Sequence, residues 1–450
     1  MKHTVRLAEF AAALRYEDIP ADVRARARDC ILDTVGLCVF GAELPWSRIV
    51  IDYVREHGGP GPATVLGAGG LRTSAPFAAL ANGALVHAFE MDSLRKPSTG
   101  VHPGGLVPPA LAVGEARGAT GREVIAAFVA GMEVTTRVGL ATRHSSEEKG
   151  FHAPGLTTVF GGAVAAGRLL GLDARGMTHA LGIAGSLCSG LMEYLRGGTG
   201  GTVKRLHVGR AAEGAVLAAS LAARGFDGPE TILEGDFGFL HAYAHDALPE
   251  ALSADLGSVW ETRTICFKRC ACHAAAHAPI QGLEELRAEH GFGAGDVTEI
   301  VIGTSRKVVA NQNQPEPADM VAAQMSVPFA VALSFFRDPA DPRSFRTVEP
   351  GDPAIRALSR KVRLEVNEET RKPGQAWVCS LAVRLADGRR LEKMVWDFRG
   401  SPTSPLAPEE FAAKFRAATA GLPPAVAAAL LERLQRLEEL DAVAGLLAGA

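Results

Sequence analysis

The stretch FKRCACHAAAH, Phe267 to His277, and the glycine-rich GGTGGTVKRLH that ends at His207 each set a lysine a few residues from a histidine: Lys268 with His273, and Lys204 with His207. Two further histidines stand at loop-like breaks, His102 in VHPGG and His152 in KGFHAPG. Cations and bases of this kind equip a chain to hold a small polyanion and to move a proton on it. Just before His102, the run NGALVHAFEMDSLRKPSTG adds His87, Glu90 and Asp92. An acid beside a histidine orients the ring and sets its pKa, so Asp92 with His87 or His102 is a candidate proton-transfer group. His102 precedes Pro103, which predicts extended backbone there. His152 precedes an apolar helix, and a helix N-terminus offers N–H groups and positive dipole to a carboxylate.

Other readings of these segments fail on spacing. GGTGGTVK, Gly197 to Lys204, lacks the Gly-Lys-Ser/Thr ending of a phosphate loop, since Val203 precedes Lys204 and Arg205 follows it. Its glycines still let backbone N–H groups close on an anion. VLGAGGLR, Val65 to Arg72, has Arg72 where a dinucleotide fingerprint needs a third glycine, and reads as a turn between helices. Cys270, Cys272, His273 and His277 leave little room for a tetrahedral zinc site and lack a second ligand pair at standard spacing, so no metal is expected.

The elements that must position these residues change character along the chain. From the start to about Leu256 the pattern is helical: Val23 to Val39 with Gly41 as a stop signal, Gly121 to Leu140, Thr157 to Leu170, Met177 to Leu195, and Arg210 to Arg224. Ala and Gly dominate several of these, which predicts close-packed central helices. Beyond Trp260, VTEIVIGT (Val297 to Thr304) and VRLEV (Val362 to Val366) alternate as strands do. Trp377 to Leu385 and Leu391 to Trp396 flank Asp387-Gly388 as a hairpin. Helices are expected at Ala278 to Glu289, Val321 to Phe336, and from Pro408 to Leu447. The fold class is therefore mainly α: a large all-helical domain formed by both chain ends, with a smaller inserted α+β lid domain. The boundaries are a helical domain over 1–265, the lid over 266–398, and C-terminal helices over 399–450 packing back on the helical domain.

A chain of 450 residues with 47% apolar content is long for one core and suits two domains. Lys and Arg total 47 against 50 for Asp and Glu, so no basic excess points to nucleic acid. The 7 cysteines are odd in number and do not read as a disulfide framework, which favours a reducing, cytoplasmic setting. The N-terminus acquires Glu9, Glu17 and Asp18 early, unlike a signal peptide. No stretch reads as a membrane span.

ALANGALVHAFEMD, VHPGG, KGFHAPGLTTVFGGAVAAGRLLGLD, ALGIAGSLCSGL, VKRLHVGRAAEGAVLAASLAARGFDGPETILEGDFGF and FKRCACH together resemble the MmgE/PrpD family, which includes 2-methylcitrate dehydratase, cis-aconitate decarboxylase and iminodisuccinate epimerase. The resemblance runs along nearly the whole chain. It implies a helical domain with an inserted α+β lid, an active site between them, a homodimer, and no metal or organic cofactor. By motif it puts catalytic positions on Asp92, His102, His152 and His273 and substrate-binding positions on Lys204 and Lys268. The implied activity is a lyase, a dehydratase or decarboxylase of a small di- or tricarboxylic acid working through a carbanion next to a carboxylate. The alternative is an epimerase of an amino- or imino-dicarboxylate. The chain departs from the family pattern in having Asp92-Ser93-Leu94 for an Asp-Asp-Thr, Glu90 for an aspartate, and Phe329 where the decarboxylase carries a tyrosine.

Overall fold

The computed structural model describes residues 2–96, 100–195, 201–348, 351–370, 377–447 and 449–450. Two compact units emerge, Met1–Ile265 with Ala418–Ala450, and Cys266–Ala417.

The first unit is built from α1 (His3–Ala13), α2 (Ala21–Ala42), α3 (Pro45–His57), α4 (Ala75–Val86), α5 (Val107–Arg117), α6 (Gly121–Ala141), α7 (Ser145–Glu148), α8 (Ala153–Leu169), α9 (Ala174–Gly185), α10 (Val203–Ala222), α11 (Phe239–Tyr243) and α18 (Pro424–Gln435). Short strands β1 (Ala63–Thr64) and β2 (Arg72–Thr73) pair antiparallel. VLGAGGLR is thus the loop of a small hairpin rather than a turn between helices. Its base is held by α4, where Asn82 accepts from Leu66 N and donates to Thr64 O.

Gly41 does not stop α2; the helix runs through it to Ala42. A Cβ there would stand 2.1 Å from Leu85 O, so the glycine lets α2 lie against α4. α6 and α8 are equally close: a Cβ on Gly131 would stand 2.4 Å from Gly161 O, and one on Gly161 2.6 Å from Gly131 O. Small residues thus serve backbone approach, as the composition suggests. α9 ends at Gly185 rather than Leu195 because the chain turns away; Gly190 adopts φ 131°, outside any helix. α10 starts seven residues earlier than the apolar pattern indicates, so Lys204, Arg205 and His207 belong to its first turns.

α6 has the length and apolarity to cross a membrane, which the sequence reading does not anticipate, yet 94% of its apolar window is buried. It is a core helix of this unit, packed against α8. Its one buried ion pair, Arg137 Nη1 to Glu133 Oε2 at 2.6 Å, holds the 254–262 segment. Glu133 accepts from Glu261 N and Thr262 N, and Arg137 donates to the carbonyls of Ala254, Asp255 and Val259. Each buried charge is therefore matched by partners, as burial demands. The C-terminal segment adds Leu434, Leu437, Val443 and Leu447 to the core, and Val443 N donates to Ala119 O at 2.7 Å.

β3 (Leu94–Arg95) lies in the first unit, and the chain leaves that unit through β4 (Ile265–Cys266). The second unit holds β5 (Val297–Thr304), β6 (Val362–Val366), β7 (Cys379–Leu385) and β8 (Arg390–Val395) in one sheet of order β6-β5-β7-β8. β5 and β6 are parallel, and the other neighbours antiparallel. Its helices are α12 (His277–His290), α13 (Arg306–Asn311), α14 (Met320–Met325), α15 (Val327–Leu333), α16 (Pro353–Ser359) and α17 (Pro408–Ala418). The inward residues of β7 alternate along the strand, and α12 covers that face; a Cβ on Gly282 would stand 2.8 Å from Leu381 and 2.7 Å from Val395. The expected helix from Val321 to Phe336 is two. Ser326 breaks it by capping Phe329 N, just ahead of Pro328. This unit extends to Ala417 rather than 398 because α17 joins it: Phe411 packs edge-on to Phe267 at 4.8 Å, and Arg399 binds Glu410.

Candidate active site

α4 ends at Val86, and its C-cap His87 (φ −92°, ψ 6°) turns the chain out of the helix and toward Glu90 and Asp92. His102 has the extended backbone expected before proline (φ −121°, ψ 115°) and opens a short 3-10 turn, Pro103–Gly105. Gly104 and Gly105 let that turn sit against Val86 and Thr158, where Cβ atoms would meet side chains at 2.8 and 2.7 Å. These local features put two imidazoles on one carboxylate oxygen. His87 Nδ1 lies 2.9 Å from Asp92 Oδ2 and His102 Nδ1 lies 2.6 Å from the same atom. The two rings stand edge-on, centroids 5.3 Å apart.

His87 and Asp92 are buried, each 2% exposed, and His102 is partly so. Burial alone would raise the Asp92 carboxyl, but the two imidazoles on it hold it well below the usual carboxylate range. Burial pushes His87 down to about 4, against the pull of Asp92. An ionised Asp92 accepts N–H from both Nδ1 atoms, which leaves both Nε2 atoms as lone-pair bases. His87 Nε2 is buried with no hydrogen-bond partner among the described residues. The donor atoms of His87, Asp92 and His102 lie within 4.8 Å of one another, the spacing of a possible metal-binding set. The two hydrogen bonds to one oxygen account for that closeness without an ion.

His152 is the N-cap of α8, which starts at Ala153 with Pro154 in its first turn. The expected helix N-terminus is therefore present, four residues earlier than the apolar run begins. His152 Nδ1 meets His207 Nδ1 at 3.0 Å. Its ring stands 5.7 Å from His87 and 5.4 Å from Tyr194. Burial, then the neighbouring His87 and Lys204, push His152 well below the ordinary histidine range. Burial and Lys204 lower His207 too.

Lys204 and Arg205, on the first turn of α10, both reach Glu90. The Lys204 Nζ binds Glu90 Oε1, and Arg205 Nη1 donates to the same oxygen at 3.0 Å and to His87 O at 3.1 Å. Glu90 thus fastens α10 to the turn that carries Asp92. α4 and α10 can come this close because glycine faces glycine, a Cβ on Gly83 standing 2.9 Å from Gly209 Cα.

Four of the six expected site residues, Asp92, His102, His152 and Lys204, lie in this cluster. His87, Glu90, Arg205, His207 and Tyr194 complete it. Lys268 and His273 belong to the second unit. There Lys268 is buried, and His273 caps a 3-10 turn by accepting from Ala275 N at 3.2 Å. Cys270 and Cys272 are packed as small apolar residues; burial pushes the Cys270 thiol up to about 12. His277 lies in α12 with its ring 5.4 Å from Phe398. Of the glycine loop Gly197 to Lys204, residues 197–200 lie outside the described residues.

What this arrangement can do is proton transfer beside fixed positive charge. A carboxylate-oriented pair of bases faces an imidazole at a helix N-terminus, with a lysine and an arginine near them.

Known proteins agree along the length of the chain. The MmgE/PrpD N-terminal domain matches residues 5–251 and the MmgE/PrpD C-terminal domain residues 270–439. Cis-aconitate decarboxylase of Aspergillus terreus is 28% identical over 417 residues, 87% of this chain and 84% of the relative. The human cis-aconitate decarboxylase is 29% identical over 430 residues, 92% of this chain and 88% of the relative. That of Mus musculus is 27% identical over 453 residues, 97% and 91% respectively. Decarboxylases are lyases, so these relatives support a lyase-type reaction. With both parts of the family matched in order, the chain belongs to the MmgE/PrpD family.

Proposed function

We propose that the chain is a cofactor-independent lyase, a dehydratase or decarboxylase, acting on a small di- or tricarboxylic acid through a carbanion next to a carboxylate. The observation that carries this reading is the pair of imidazoles sharing the buried Asp92 Oδ2, set in one unit with His152, Lys204 and Arg205. Such a carbanion forms by proton removal or by loss of carbon dioxide. Either route needs a positioned base or acid and fixed cations to meet the charge. His102 is the proposed base. Asp92 holds its Nδ1–H, and its side chain is less deeply buried than that of His87. His152 is the proposed donor to the developing charge. The relatives named for cis-aconitate make that acid the first substrate to try.

The test is proton NMR of the purified chain with cis-aconitate, citrate-like and aspartate-like acids in deuterium oxide. Net formation of an unsaturated or decarboxylated acid supports the lyase. Deuterium wash-in without net product assigns the chain to the epimerase alternative, and neither change on any acid overturns both. Lys268→Ala and His273→Gln, made separately, test whether the second unit contributes to turnover. A homodimer in the cytoplasm, with no nucleic acid or membrane partner, is the accompanying proposal, checked by light scattering and fractionation.

A further inference from the structure

The contact between His152 and His207 joins two Nδ1 atoms, so it is a hydrogen bond only if one ring carries its hydrogen there and the other does not. The pair therefore holds opposite tautomers. Three features fix it in place. His152 N donates to Gly190 O at 3.0 Å, which pins the backbone at the start of α8. Gly190, at φ 131°, passes so near the pair that a Cβ would stand 3.2 Å from His207 Nδ1 and 3.5 Å from His152 Cβ. The Tyr194 ring stands edge-on to both imidazoles, at 5.4 and 5.9 Å.

Extending the lyase reading, we propose that His207 is a positioning residue: by donating its Nδ1–H to His152 Nδ1, it fixes the hydrogen of His152 on Nε2 as a donor to charge developing on a substrate carboxylate. The neighbouring rings supply the reason for this order. Asp92 already fixes His87 and His102 with their hydrogens on Nδ1, so both present Nε2 lone pairs. If His152 donated instead, its Nε2 would be a third lone pair beside those of His87 and His102, and the Nε2–H would lie on His207 in α10 rather than on the ring at the N-terminus of α8. With His207 as donor, the Nε2–H lies on His152 itself, the ring whose centroid is 5.7 Å from His87. The place of His152 at the N-terminus of the 17-residue α8 supports the same role, because the positive end of the helix disfavours a second proton and keeps the ring a neutral donor. The ionic groups facing the pair are Lys204, with His87 and His102 beyond. No proton need leave His152 in this role; its N–H strengthens as a hydrogen bond while charge builds and relaxes as charge disperses.

The experiment is nitrogen NMR of the full chain labelled with ¹⁵N-histidine, with the His152 signals assigned by their loss in His152→Gln. The expected spectrum shows His152 with a bare Nδ1 and a protonated Nε2. In His207→Phe, which removes the donor, the His152 signals should move toward a mixture of tautomers. In His207→Asn, whose amide N–H takes nearly the same place, they should stay. On the substrate found above, His207→Phe should lower kcat about 10²-fold with little change in KM, and His207→Asn should recover most of that loss. A His152 hydrogen found on Nδ1 overturns the proposal whatever the activity. So does an equal loss in both variants with folding intact. A confirmed tautomer in a chain that turns over no carboxylate would leave this assignment standing and sink the lyase reading.

Discussion

Asp92 accepts from two imidazoles through a single oxygen, and a change that keeps its size while removing its charge should show what that is worth. Asp92→Asn can place an N–H where the carboxylate stood, which forces the facing rings into the wrong tautomer. We expect kcat to fall about 10³-fold or more with the fold intact, read by steady-state turnover and circular dichroism. His87 and Asp92 also bear on acid stability. In the unfolded chain His87 titrates near its ordinary 6.5, whereas burial holds it at about 4 in the folded one. Between those values the unfolded chain takes up the proton that the folded chain refuses, so stability falls as pH is lowered through that window, by about 3 kcal/mol for this group. His152 acts in the same direction. Below about pH 4 the unfolded carboxyl of Asp92 is protonated first, and stability falls again. Urea midpoints at pH 7, 5.5 and 4 should decline, and His87→Gln should flatten the decline. Asp92, His102 and His152 are legible in the sequence because acid-histidine spacing and chain breaks mark them. His207 is marked there only as a neighbour of Lys204, three residues on, and its contact with His152 is not legible. A histidine near the start of a helix has many ordinary uses, and its partner His152 is 55 residues away.

Among the elements, α4 and α10 decide whether the site exists, since one is capped by His87 and the other begins with Lys204, Arg205 and His207. Their spacing rests on Gly83 and Gly209, and a Cβ on Gly209 would stand 2.7 Å from Leu80 O. Gly209→Ala should therefore destabilise the chain by about 1–3 kcal/mol through overpacking and should also lower kcat, read by urea unfolding and turnover on the same preparation. A loss of stability alone would mean that the helix spacing does not govern the site. Glycine is also where sequence reading of the helices goes astray. Gly41 carries the composition of a stop, yet its lack of a side chain serves a helix crossing inside a continuing helix. Periodicity cannot separate those two uses, because the contacting carbonyl of Leu85 is 44 residues away. The division of Val321 to Phe336 was closer to the surface of the sequence: Ser326 two residues before Pro328 is a start signal inside an apolar run.

At the level of the whole molecule, the change from helical periodicity to alternation beyond Trp260 announces the second unit, and Ile265 is where the contacts divide. Its far boundary is less visible, because α17 is amphipathic like the helices that follow it and only contacts such as Phe411 with Phe267 assign it. The seven cysteines run through both units, and all are buried. Burial pushes Cys188 up to about 11 and Cys270 up to about 12, and lifts Cys38 and Cys379 further. A thiol in that state is a poor nucleophile. An acid with a carbon–carbon double bond beside its carboxylate, the kind of product that elimination or decarboxylation would release, is an electrophile that thiolates attack. The native chain would offer such a molecule no reactive sulfur, so its thiols should stay unalkylated by iodoacetamide at neutral pH until urea opens the fold. Mass spectrometry of modified peptides against urea would then record unfolding of each unit separately, Cys30, Cys38 and Cys188 for the first, Cys270, Cys272 and Cys379 for the second.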